Sequence, residues 1–248
     1  MPDPADRYAA QARVRQIGHV GQERIGHGHV VVVGVGALGS AIAHQLVRGG
    51  VGTVTLIDGD RVELGNLHRQ IMYTENDARD QKLKAEVAAE RLRGANSQVR
   101  VESVVGHLDA ENAADLIRGA HVVVDGTDNL ASRYVINDVC LGSGVPWVYG
   151  GVAGTHGLVM PVIPGRGPCL RCLFEDPPEH EEPTSTTVGV FGPAPAVVGA
   201  LEAALAMRIL VGDLPLPVHL LSIDVWSGAV ESVPVNPSPD CATCGHLH

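Results

Sequence analysis

The chain has 248 residues, 45% hydrophobic and 19% charged, enough to bury a substantial core. Its formal net charge of -10 at pH 7 argues against coating nucleic acid or an anionic membrane, so any phosphate must be met by a few local positive groups. Uninterrupted apolar runs are of strand length, short of the ~20 residues a membrane helix requires, and Met1–Gln11 has no secretory apolar segment; the expected location is the cytoplasm.

Residues 1–28 are polar with helical spacing and predict an N-terminal helical arm. The run His29–Val33 is β-branched throughout, as in a strand buried on both faces, and Ala37–Arg48 reads as a helix. Thr53–Asp58 predicts a strand and residues 80–93 a helix; Val99–Val105 and Ala110–Arg118 repeat the alternation, as do His121–Asp125 and Leu130–Cys140. This order predicts a Rossmann-like, mostly parallel sheet covered by helices. After residue 145 the pattern changes. Pro146–Ala153 and Leu158–Ile163 predict strands around a Gly-rich turn, an antiparallel extension. The acidic, Pro-rich stretch 175–188 predicts a mobile loop crossing over the site. Ala194–Leu210 reads as a helix, and strands over Leu216–Ile223 and Ala229–Val235 follow; the whole, 1–248, reads as a single α/β domain.

The first chemical motif is Gly34-Val35-Gly36-Ala37-Leu38-Gly39, between a strand and a helix. Glycines there let the backbone approach a phosphate, and the helix N-terminus supplies oriented N–H groups. Asp58 ends the next strand, where a carboxylate reaches ribose hydroxyls. These two features alone favour an NAD-dependent oxidoreductase. Two C-x-x-C pairs, Cys169/Cys172 and Cys241/Cys244, suggest a closed tetrahedral Zn²⁺ site with a structural role. His246 ranks below the four thiols as a ligand, and Cys140 reads as a small buried hydrophobe.

A longer constellation points away from NAD. It runs Asp58-Gly59-Asp60, then Asn66-Leu67-His68-Arg69-Gln70, then Lys84, then Asp125-Gly126-Thr127-Asp128-Asn129. Here the chain resembles the ThiF/MoeB/HesA family, relatives of the ubiquitin-activating enzymes, from Arg7-Tyr8 to Cys244. The resemblance implies an adenylyltransferase that uses ATP and Mg²⁺ on the C-terminal carboxylate of a ubiquitin-like sulfur-carrier protein. It implies that the glycine loop (Gly34, Gly36, Gly39) and the stretch with Asp60 and Asn129 hold nucleotide, with Asp58 on the ribose. Asn66, Arg69, Gln70 and Lys84 (or Lys82 in its place) would meet the phosphates, and Asp128 would bind Mg²⁺. Arg69, Lys84 and Asp128 would carry catalysis, because carboxylate and α-phosphate are both anionic and the transition-state charge must be met by cations held in place beforehand. The family also implies the zinc site and a homodimer.

Two positions depart from the family pattern. Ser185 stands where some relatives place a thioester- or persulfide-forming cysteine, which predicts that sulfur comes from a separate donor. Ala10 stands where the family has an arginine that reaches the partner subunit's ATP, with Arg13 one helical turn on as a substitute. These departures leave open a weakly active or scaffold protein, and a peptide C-terminus as another acyl substrate.

Overall fold

A computed structural model describes residues 7–174 and 188–245. Residues 175–187 of the expected crossover loop, Ser185 among them, and His246 lie outside these residues. The described elements are α1 (Ala9–Ala12), α2 (Gly18–His27), β1 (His29–Val33), α3 (Ala37–Arg48), β2 (Thr53–Ile57), α4 (Glu75–Arg79), α5 (Lys84–Ala95), β3 (Arg100–Val104) and α6 (Ala113–Leu116). Then come β4 (Val122–Asp125), α7 (Leu130–Ser143), β5 (Trp147–Ala153), β6 (His156–Val162), α8 (Leu170–Leu173), α9 (Pro193–Val211), β7 (His219–Asp224) and β8 (Ala229–Pro234).

One eight-stranded sheet organises them, in the order β3-β2-β1-β4-β5-β6-β7-β8. The first five strands pair in parallel and the last three join antiparallel. Because β1 runs as four consecutive buried valines, its alternate side chains feed cores on both faces: Val30 and Val32 on one, Val31 and Val33 on the other. The first core lies under α2, α3, α5 and α9; the second lies under α6, α7 and α8 and includes Cys169 and Cys244. The order reverses between β1 and β4, the crevice where sheets of this kind take their ligands.

Three expectations shift. The helix foreseen over 80–93 starts only at Lys84, because Lys82 and Lys84 bond back to Val62 and Asp60 as a short bridge, with Gln81 at φ 48° turning the chain. The helix foreseen over 110–118 shrinks to Ala113–Leu116, since the Asp109 carboxylate accepts the N–H groups of Glu111 and Asn112 and sets a turn first. Among the described residues the helical arm holds the two helices α1 and α2, with a break at residues 13–17. Finally, α9 is long and apolar enough to cross a membrane by length and composition. It packs instead on α3, β5 and β6 and buries Val198, Glu202, Ala203 and Ala206, so it serves as a core helix.

Candidate active site

A cleft of about 400 Å³ opens at the C-terminal ends of β1, β2 and β4. Gly34, Gly36, Asp58, Asp60, Arg69, Gln70, Lys84, Asp128 and Asn129 line it, so most residues picked out from the sequence converge there. Gly39 does not line the cleft. It lies behind the loop, where a side chain would collide with the Gly34 carbonyl. Gly34 itself has φ 84° and its added Cβ would stand 2.7 Å from the Gly126 carbonyl, so the turn and the β4 end close on each other only with glycine.

The loop's shape is fixed from below. The Val35 N–H donates to Asp58 Oδ2 at 2.7 Å, and its carbonyl accepts the Tyr73 hydroxyl at 2.6 Å. The Asp60 N–H donates to Asp58 Oδ1 at 2.8 Å. Burial pushes the Asp58 carboxyl up from its ordinary range, against these backbone N–H groups and Lys84, which pull it down. Each Asp58 oxygen keeps a lone pair for a ribose hydroxyl. Tyr73 gave no motif in the sequence. Burial pushes its phenol well up, with the Asp58 charge adding to the effect, so it stays a donor.

The cations are held differently. Lys84 is buried in the first turn of α5, its Nζ 2.8 Å from Asp60 Oδ2. Lys82 pairs with Asp77 at 3.2 Å on the far side of that turn, away from the cleft lining. Of the two lysines, Lys84 is the one that lines the cleft. Asn66 is not in the cleft lining; its Oδ1 accepts from Arg69 Nη2 at 2.8 Å and so aims the guanidinium. Gln70 is buried against Gly36, and its Oε1 has no hydrogen-bond partner among the described residues. Asn129, not Asp128, caps α7, accepting from the Ser132 N–H at 2.9 Å. Exposed Asp128 takes no hydrogen bond or ion pair among the described residues and faces the cleft. His107, absent from every sequence motif, also lines the cleft, with its ring against Gly59 and Nε2 3.7 Å from Asp60. Arg13, expected at a partner subunit's nucleotide and not at this one, lies away from its own chain's cleft: α1 is pinned at the other end of the sheet, where Tyr8 accepts from Asn96 Nδ2 at 2.7 Å and Gln11 donates to the Gly49 carbonyl.

Behind the cleft lies a buried charge cluster that single residues in the sequence did not announce. Asp125 accepts from the Thr127 N–H and hydroxyl on one oxygen and from Arg133 Nε at 2.9 Å on the other. Arg133 Nη2 donates onward to the Thr127 and Gly150 carbonyls at 3.0 and 2.9 Å. One guanidinium thus ties β4, β5 and the lip that carries Asp128. The Glu202 carboxyl of α9 lies against the Gly150 Cα, where a side chain would collide with it. It is fully buried, and both oxygens are unpartnered among the described residues. Burial pushes its pKa well above the ordinary value, and the nearby Asp125 charge adds to that. An acid whose folded pKa is raised binds more protons folded than unfolded, so its contribution falls as pH rises above the unfolded value. Glu202→Gln is therefore expected to gain on the order of 1–3 kcal/mol at neutral pH. Denaturant unfolding at acidic and alkaline pH should show that gain widening toward high pH; equal stability of the two proteins throughout would overturn the assignment.

The four cysteines of the C-x-x-C pairs also meet. Their sulfurs lie within 4.8 Å of one another, with Cys169–Cys241 at 3.6 Å, Cys172–Cys244 at 3.4 Å and Cys169–Cys172 at 4.0 Å. Four sulfurs each about 2.3 Å from one tetrahedral ion stand ~3.8 Å apart, so the group fits a metal and is far too open for disulfides. The Ser238 N–H donates to Cys172 Sγ, as an outer contact to a thiolate would.

Comparison with known proteins agrees with this arrangement. The ThiF family model matches residues 8–243. The chain belongs to the ThiF family. A sulfur carrier protein adenylyltransferase of Thermus thermophilus is 42% identical over 97% of this chain and 90% of its own length. The sulfur carrier protein ThiS adenylyltransferase of Bacillus subtilis is 39% identical over 96% and 71%. Among solved structures, E. coli MccB with ATP superposes with a TM-score of 0.83 at 24% identity, covering 96% of this chain and 74% of that one, a likeness of fold. This member of the ThiF family is an adenylyltransferase of the MoeB/ThiF type, and ATP follows as its nucleotide. The oxidoreductase reading drawn from the glycine loop alone gives way to it.

Proposed function

We propose that this ThiF-family chain adenylates the C-terminal carboxylate of a small ubiquitin-like sulfur-carrier protein, forming an acyl-adenylate and releasing pyrophosphate. The observation that supports this most directly is the convergence of Arg69, Lys84, Gln70 and Asp128 on one cleft floored by the glycine loop. The carboxylate oxygen attacks the α-phosphorus; an O–P bond forms as the bond to pyrophosphate breaks, and no proton moves. The nucleophile is already ionised, so the chain needs no general base. What it must supply is positive charge where negative charge accumulates. Asn66 aims Arg69, Asp60 holds Lys84 at the cleft wall, and the N-terminus of α3 adds oriented N–H groups. The exposed Asp128 is the carboxylate that would face Mg²⁺ or its waters, and Gln70, whose Nε2 lies nearest the glycine loop at Gly36, would meet the phosphates. Mg²⁺, when bound, would neutralise phosphate charge.

ATP–pyrophosphate exchange tests the reading, with each Gly-Gly-ending small protein of the same genome added in turn. Exchange that requires one intact carrier, and is lost when its last glycine is removed, is the expected result. Absence of exchange with all of them would point to a peptide carboxylate or to a scaffold. The same reading includes a homodimer and a sulfur donor separate from this chain.

The thiol cluster would hold a structural Zn²⁺. The expected metal content is one zinc per chain. A chelator strong enough to strip it should lower the melting temperature by about 10 °C or more, since binding energy at such sites is largely folding energy. An unchanged melting curve in a protein shown to be metal-free would exclude that role.

A further inference from the structure

The cleft lining runs across the sheet. At the β2–β3 side are Asp58, Asp60 and His107; at the β4–β5 side are Thr127 to Arg133, then Val152, Val190 and Pro195. An acid at the end of β2 marks the ribose side, so an acyl substrate arrives from the other, past Val190. That side is built from three turns. Val190 forms a parallel bridge with Gly154 at the β5–β6 turn, and the Phe191 N–H donates to the Gly154 carbonyl at 2.8 Å. The β7–β8 turn joins them through Val225, whose N–H donates to Thr155 at 3.0 Å.

On this rigid corner two aromatic rings face outward. Phe191 is 38% and Trp226 75% exposed, and their rings meet edge to face with centroids 5.6 Å apart. Asp224 fixes the turn below the indole, accepting the Trp226 N–H at 3.0 Å and the Ser227 hydroxyl at 2.6 Å. The sequence holds only two Trp and two Phe. Trp147 is fully buried, and Phe174 is half-buried and packed on the second core through Tyr149. The other Trp and the other Phe stand together in solvent, one residue beyond a cleft-lining position. Exposed, rigidly mounted aromatics are what protein recognition uses as anchors.

We infer that Phe191 and Trp226 form the ledge on which the last residues of the acyl substrate's chain lie before its carboxylate enters the cleft. The occupant is an uncharged, extended C-terminal tail. Its identity as a protein tail rests on the adenylation reading, while its place rests on the continuity of Val190 with Phe191. Small residues at the end of the tail would pass the narrow corner, and a bulkier apolar side chain upstream would meet the indole.

Because Trp147 is enclosed, acrylamide quenching of tryptophan emission reports chiefly Trp226. The Gly-Gly-ending proteins of the exchange assay serve as probes, each with and without ATP. The carrier is expected to shield Trp226 from quenching. Trp226→Ser and Phe191→Ser should each raise the KM for the carrier roughly tenfold, with the KM for ATP within about twofold of the parent. Trp226→Phe should recover most of the loss, which a folding defect would not allow. Exchange that proceeds in the parent protein with unchanged quenching, or with carrier KM unaltered in both serine variants, would overturn the ledge and leave the adenylation reading standing. Absence of exchange would instead count against that reading, and shielding by a probe would still support the ledge. Shielding that depends only on the concentration of this chain would assign the ledge to a second copy and overturn the inference.

Discussion

Lys84→Met is expected to lower ATP–pyrophosphate exchange by about 10²–10³-fold, the usual loss when one preorganised charge at a developing anion is removed. The methionine keeps the buried stem packed on α5 while deleting the ammonium. Asp60, the partner left behind, has a side chain 55% exposed, so water covers its lost ion pair at small cost to the fold. The companion change Lys82→Met removes a half-exposed contact to Asp77, which keeps Arg91, the Thr74 N–H and the Thr74 hydroxyl as donors. It should leave the rate near that of the parent. Exchange rates for the two variants under saturating ATP decide the matter: a fast Lys84→Met or a slow Lys82→Met would reverse the assignment of the two lysines.

Arg133→Met is expected to be the costliest single change for stability, about 3–5 kcal/mol, because it strands a buried carboxylate. Asp125 is fully buried and, among the described residues, would keep only the two donors of Thr127. The Thr127 and Gly150 carbonyls would each lose a donor as well. At about 2–4 °C per kcal/mol for a chain of this size, the melting temperature should fall by roughly 6–20 °C. Adding Asp125→Asn in the same chain removes the stranded charge and should return part of the loss. A drop of less than about 1 kcal/mol in Arg133→Met would mean that the pair contributes little and that the lip carrying Asp128 is held by other means.

The sequence disclosed the parts of this molecule whose signal is local. Four valines in a row, a glycine turn and a helix former's run place β1, the loop and α3 with little ambiguity, and the two C-x-x-C pairs announce a meeting 72 residues apart. Most of the cleft-lining residues were legible because they come in one ordered constellation, Asp58 to Asn129. What stayed hidden is whatever gains meaning only from juxtaposition. Arg133, Tyr73 and Glu202 each look ordinary in their helix or loop, and only the folded chain sets them beneath the cleft. Helix ends were misplaced where a side chain outbid the backbone, as Asp109 does before α6, or where a bridge of the chain with itself, Asp60 to Lys84, delayed the first turn of α5. Trp226 was passed over because a lone surface tryptophan has no sequence signature.

The placement of the four cysteines also sets an order in time. The chain leaves the ribosome from its N-terminus, so the parallel strands β1 to β5 can pair while the later residues are still being made. Cys241 and Cys244 come only after β7 and β8, and until they emerge Cys169 and Cys172 lack the other half of their cluster. Closing a loop of 72 residues costs entropy that the sheet extension inside it helps to offset by bringing the ends together first. The nucleotide half can thus form early, whereas the antiparallel half that carries Trp226 is locked last. With zinc at this cluster, as proposed, cells short of the metal would accumulate chains with a formed glycine loop and an unsecured antiparallel half.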